Sequence, residues 1–131
     1  MRNLRILAMM LFIAVVLINC KTDQIDNDIE VYATNHSVQK IDSLKVYSID
    51  GISISDSITL KEVNIDSSIH TTWKDIQLNN VDGTFLAVSY SNGKILNKPF
   101  GYYTNGINLY KSISIIVYTD SLVVSKSLKD L

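Results

Sequence analysis

The chain has 131 residues, with 12 Lys and Arg against 13 Asp and Glu and a formal net charge of −1. That length suits one domain, large enough to bury about two thirds of its unfolded surface without help from metal or disulfides. Balanced charge with no basic stripe removes the electrostatic footing of a nucleic-acid partner. A lone cysteine, Cys20, removes a disulfide framework, a CxxC redox pair and a thiolate metal site. Plentiful Ile, Val, Thr and Tyr beside scarce Ala, Glu and Arg favour strands over long helices.

Arg2 and Arg5 open the chain, and Ile6 to Ile18 follow as thirteen apolar residues before Asn19 and Cys20. As a helix that run spans about 20 Å, short of the ~30 Å hydrocarbon core of a bilayer. The layout is that of an export signal rather than a membrane span. Leu17-Ile18-Asn19-Cys20 resembles the lipobox of bacterial lipoproteins, in which cleavage falls before a cysteine that then carries the lipid. Leu17 matches the apolar first position, Ile18 is tolerated at the second, and Asn19 stands where Gly, Ala or Ser is usual. The resemblance implies a signal peptide over residues 1–19 and a lipidated Cys20, with each acyl methylene contributing about 0.8 kcal/mol to membrane attachment.

Residues 20–28 are polar and aperiodic and read as a flexible tether. Asp23, Asp26 and Asp28 make it similar to the surface-export signals of some Bacteroidota lipoproteins, although a plain solvated linker has the same composition. Lys21, where the enterobacterial inner-membrane retention signal has Asp, implies the outer membrane, with the chain periplasmic or surface-exposed. Without Arg2 and Arg5 the mature chain has ten basic and thirteen acidic residues, a net charge of −3.

From Ile29 the pattern has period two, and residues 29–131 read as one domain. Ile29, Val31 and Ala33 share a face, and Asn35-His36-Ser37 turns the chain. Ile41 to Ile49 alternates Leu44 and Val46 with Lys45 and Tyr47, then stops at Asp50-Gly51. Ile52, Ile54, Ile58 and Leu60 form the next face, which slips to odd positions at Val63 and Ile65; the slip predicts a bulge or a short break near Lys61-Glu62. Ile69, Thr71 and Trp73 follow, opposed by His70, Thr72 and Lys74. After the turn at Val81-Asp82-Gly83-Thr84, Phe85 and Ala87 face one way and Leu86, Val88 and Tyr90 the other.

Ser91-Asn92-Gly93-Lys94 is the clearest hairpin, because Asn-Gly accepts the positive φ angles of a type I′ turn. Pro99 predicts a short return strand, Lys94 to Asn97. Phe100 to Gly106 then reads as a Gly-bracketed aromatic loop. Ile107, Leu109, Ile113, Ile115 and Val117 form the longest alternating run, predicted to be central. Leu122 to Val124 closes the fold, and Ser125 to Leu131 is expected to fray or form a helical turn. About eight short strands with turns between them predict an all-β fold, an immunoglobulin-like or related Greek-key sandwich after the signal helix. A small β-barrel is the alternative.

No chemistry announces itself. His36 and His70 lack a third ligand at metal-site spacing, so each reads as a solvated structural histidine and no metal or other cofactor is expected. There is no Gly-x-Ser-x-Gly, HExxH, Walker loop or GxGxxG. Asp23, Asp26 and Asp28 depart from the calcium-loop pattern. Asn35-His36-Ser37 fits a glycosylation sequon, which a bacterial lipobox discounts. The expected function is a non-enzymatic binding or accessory module, anchored through Cys20 and meeting an envelope protein or glycan. Its candidate contact is the aromatic loop Phe100, Tyr102, Tyr103 and Asn105, where glycine-bracketed rings stack on sugars or fill a partner's pocket; rings that merely cover the core are the plainer alternative. An assembly subunit pairing through an edge strand is a second reading, and a small hydrolase with paired carboxylates a third.

Overall fold

The computed structural model describes residues 26–130. The expected signal peptide of residues 1–19, the expected lipidation site Cys20 and the part of the expected tether up to residue 25 lie outside the described residues. Eight strands form, β1 (Ile29–Asn35), β2 (Ile41–Asp50), β3 (Ser53–Val63), β4 (Ser68–Trp73), β5 (Gly83–Ser91), β6 (Lys94–Tyr103), β7 (Tyr110–Val117) and β8 (Leu122–Leu128). They make two four-stranded sheets, β4-β1-β7-β8 and β3-β2-β5-β6. The expected all-β sandwich is therefore present, with two open sheets instead of a closed barrel. Neighbouring strands run antiparallel except β1 and β7, which pair in parallel.

Alternation places one face of each sheet inward. Val31, Ala33, Ile113 and Ile115 from the first sheet meet Leu44, Val46, Phe85 and Ala87 from the second in one core cluster. Phe85 is its hub. Its ring lies 5.3 Å from Tyr103, 5.7 Å from Phe100, 6.0 Å from Tyr110 and 6.2 Å from Trp73, centroid to centroid. These spacings lie in the 4.5–7 Å range where aromatic quadrupoles attract, worth about 0.5–1.5 kcal/mol per pair beyond burial.

The register defines two ends. The base carries the chain entry at residues 26–28, the β2–β3, β4–β5 and β6–β7 connections and the end of β8; the distal end carries the other four turns. Asn27 stitches the entry to the base, accepting from the Asn108 N–H at 3.2 Å, while Asp28 accepts from the Asp75 N–H at 2.7 Å. At the distal end Asn35, fully buried, uses both ends of its amide. It donates to Gln39 O and Val63 O and accepts from the Ser37 N–H and hydroxyl.

Near Lys61-Glu62 the β2–β3 register is unbroken and the irregularity is Glu62 at φ 60°, while the register shift of that pair lies between Ser48 and Ile49; the hairpin appears as Asn92 and Gly93 at φ 45° and 77°. β7 is an interior strand, as expected. Three expectations are corrected. β6 does not stop at Asn97 but runs through Pro99, which pairs with Leu86; β6 is a sheet edge, where a missing N–H breaks no ladder. Ile107 to Leu109 is not strand, because the buried Asn108 side chain bonds the backbone N–H and C=O of Tyr110 in place of a neighbouring strand. β8 continues to Leu128 instead of fraying, held by β7.

The Tyr103 hydroxyl is buried without a hydrogen-bond partner among the described residues. Tyr103→Phe removes an unpaired polar group, and its thermal midpoint should equal or exceed that of the parent. A Cβ on Gly83 would stand 2.2 Å from Tyr103 Cζ and 2.4 Å from the Ile49 carbonyl oxygen. Gly83→Ala should therefore destabilise by about 1–3 kcal/mol, and Phe85→Ala by about 3–5 kcal/mol, in denaturant titrations.

Candidate functional site

The residues expected to form an aromatic binding loop are divided by the fold. Phe100 and Tyr103 belong to β6 and pack on Phe85 in the core, with Tyr103 fully buried. Tyr102 is 59% exposed and Asn105 is exposed at φ 51°, its N–H on Asp82. Both sit at the base. Four adjacent residues thus make no common surface. The plainer alternative, rings covering the core, describes Phe100 and Tyr103. Trp73 is also core, its indole N–H donating to Asp56 across 3.3 Å.

A broader aromatic surface lies on the outside of the second sheet. The register lines up three rows across β3, β2, β5 and β6: Lys61–Ser43–Tyr90–Ile95, Thr59–Lys45–Val88–Asn97 and Ser57–Tyr47–Leu86–Pro99. Rows on one face are about 6.7 Å apart along the strand. Tyr47 and Tyr90 flank the middle row from opposite sides. Val88, in that row, is only 6% exposed although it points away from the core. The Lys45 ammonium lies 5.6 Å from the centre of the Tyr90 ring. Burial pushes the Tyr47 phenol above its usual pKa, the Tyr90 hydroxyl adds to the shift, and Lys45 opposes it. Among the described residues Lys45 has no salt-bridge partner. Ile95 and Ile54, 57% and 61% exposed, border the patch.

The outer face of the first sheet is polar. Its rows are Thr72–Glu30–Ser112–Ser127 and His70–Tyr32–Ser114–Ser125. Glu30 accepts hydrogen bonds from His70 and from the Thr72 hydroxyl, and Tyr32 stacks on the His70 ring at 4.6 Å. The His70 and Thr72 hydrogen bonds hold the Glu30 carboxyl below its usual pKa. His36 is elsewhere, at the distal end, 3.6 Å from Asp66. Among the described residues no three of His, Cys, Asp and Glu gather as metal ligands.

A distal groove between the sheets has Ser89 and Leu96 in its wall and Val38 and Tyr118 at its rim, with a volume of about 110 Å³. That is well below the roughly 300–1,000 Å³ of ordinary small-molecule sites. Lys94 spans it, donating to the Thr119 carbonyl and Asp120.

The sequence reading missed Lys45 and Tyr47 as site residues. The signal was present in Phe85 to Tyr90, where Leu86, Val88 and Tyr90 make the outward face as apolar as the inward one.

Comparison with known proteins adds little. No protein-family model and no curated protein matches the chain. Among solved structures it is similar to the NMR structure of a protein from Eubacterium rectale, at 12% identity and a TM-score of 0.48, covering 86% of this chain and 99% of that one. That likeness brings no activity, ligand or partner with it.

A carboxylate with a lowered pKa stabilises the fold above its unfolded pKa, and the contribution disappears as pH falls through the lowered value. Carboxyl NMR should place the Glu30 midpoint below the usual glutamate value, and His70→Ala should return it upward.

Proposed function

We propose that this chain is a lipid-anchored outer-membrane lipoprotein and a non-enzymatic binding module for an envelope protein or glycan, docking through the outer face of β3-β2-β5-β6. The observation that carries the docking reading is the Tyr47–Lys45–Tyr90 group on the same face as Val88, which is buried outside the core. Apolar and aromatic surface gathered around a half-buried cation is the composition of the energetically dominant centre of a contact. The anchor rests on the lipobox resemblance at Cys20. Residues 26–28 enter at the base, so the base faces the bilayer and the sheet faces stand upright beside it.

Two measurements test this. Mass spectrometry of the mature protein should find Cys20 at the N-terminus carrying acyl chains; a retained residue 1–19 segment or a bare thiol overturns the anchor. The double variant Tyr47→Ala, Tyr90→Ala should lose capture of a partner from envelope extracts at least tenfold while remaining folded by circular dichroism, whereas Tyr102→Ala should capture as the parent does. Equal loss in both moves the contact to the base.

Assembly through an edge strand has its own support in β3, eleven residues long at a sheet edge, with Ile52 fully exposed beside Ile54. Cross-linking in intact envelopes separates the readings, since assembly yields a ladder of homo-oligomers and partner docking yields one heterologous band.

A further inference from the structure

On the docking face just described, we infer that the partner is an anionic glycan whose sugars carry carboxylate groups; the inference rests on the binding-module reading and narrows it to one ligand class. Three features of the face select that chemistry. The three rows contain Lys45 and Lys61 and no Asp or Glu. A face with only positive charge disfavours stacking against a second copy of itself, because Lys45 would approach its own equivalent near the centre. It favours a partner that brings negative charge.

Lys45 stands mid-face, its ammonium 5.6 Å from the centre of the Tyr90 ring, with Tyr47 in the next row of the same face. Among the described residues no carboxylate neutralises it. One ammonium matches one negative charge, as on a uronic acid, better than the double charge of a phosphate monoester. With the Tyr90 ring centre 5.6 Å away, the ammonium has an aromatic face on one side, and an ion pair made there is less screened than one made by a lysine in free solvent.

The rings supply the rest. Tyr47 and Tyr90, half-buried in the rows on opposite sides of the middle one, offer apolar surface to a sugar. Asn97 and Thr59, at the two ends of that row, add an amide and a hydroxyl about 5 Å of strand spacing beyond Val88 and Lys45 respectively. Polar groups flanking an aromatic centre suit a chain of sugar rings laid across the strands.

The test uses the full chain in detergent and two polymers with the same backbone: polygalacturonate, and its fully methyl-esterified form, which lacks only the charge. Calorimetry should show binding to polygalacturonate that weakens with salt and falls about tenfold on esterification. Lys45→Gln should abolish the difference between the polymers, and Lys45→Arg should retain it. The Tyr47→Ala, Tyr90→Ala variant should bind neither. Equal affinity for both polymers, or a charge preference that survives Lys45→Gln, overturns the inference. If Lys45→Gln does not fold, the esterification and salt responses of the parent and of Lys45→Arg decide. If neither polymer binds while the tyrosine variant still loses its envelope partner, the acidic-sugar inference falls and the binding-module reading stands.

Discussion

Phe85 is where the two sheets are joined most tightly. Trp73 and Tyr110 reach it from the first sheet, and Phe100 and Tyr103 from its neighbouring strand in the second. A core of this size needs large apolar side chains, because small domains bury a modest share of their surface. The chain has eleven aromatic residues, seven Tyr, three Phe and one Trp. The Phe85 cluster uses five of them. What remains for the surface is chiefly tyrosine, which tolerates water at one end and apolar contact at the other. The composition of the outer faces thus follows from the demands of the interior.

That allocation also explains the split of Phe100 to Asn105. Once Pro99 is accepted at an edge, β6 extends far enough to carry Phe100 and Tyr103 onto Phe85. Alternation then turns Tyr102 outward near the base, and its N–H donates to the Tyr110 hydroxyl at 3.1 Å. Gly101, at φ 59°, has Tyr110 Cε2 2.8 Å from where a Cβ would stand, so the ring and the strand are fitted to the missing side chain. Of the two glycines that bracket the aromatics, Gly101 serves close approach of a ring and Gly106, at φ 71°, close approach to the Leu78 and Asn79 carbonyls.

Most of the architecture was legible in the sequence because period-two alternation and turn dipeptides are local. The strand limits at Asn35, Asp50 and Ser91, the Asn92-Gly93 hairpin and the irregularity at Glu62 all follow from neighbours in sequence. The errors arose where a distant element overrides the local pattern. Pro99 is admissible only because β6 has no strand on its far side, and Ile107 to Leu109 are held out of the ladder by Asn108. Outward pairing is equally non-local. Lys45 and Tyr47 lie more than forty residues from Tyr90, and only the β2–β5 register brings them together. The lipobox resemblance at Cys20 is a linear signal of a different kind, and Cys20 lies outside the described residues.

The distribution of charge bears on how the proposed anchor would present the docking face. The base carries Asp26, Asp28, Asp50, Asp75, Asp82 and Asp130 against Lys74, Lys111 and Lys129. An anionic bilayer surface repels such an end, but only within about 8 Å at physiological salt. Six residues from Cys20 to Asp26 reach at most about 20 Å when extended. On the proposed anchor a tether of that length would exceed the range of the repulsion, and the base would stand clear of the surface without straining the lipid attachment. Lys45 sits near the middle of β2, several residues up from the base at Asp50. On the proposed anchor it would project sideways above the headgroups and would meet a polymer lying along the membrane before the membrane's own phosphates.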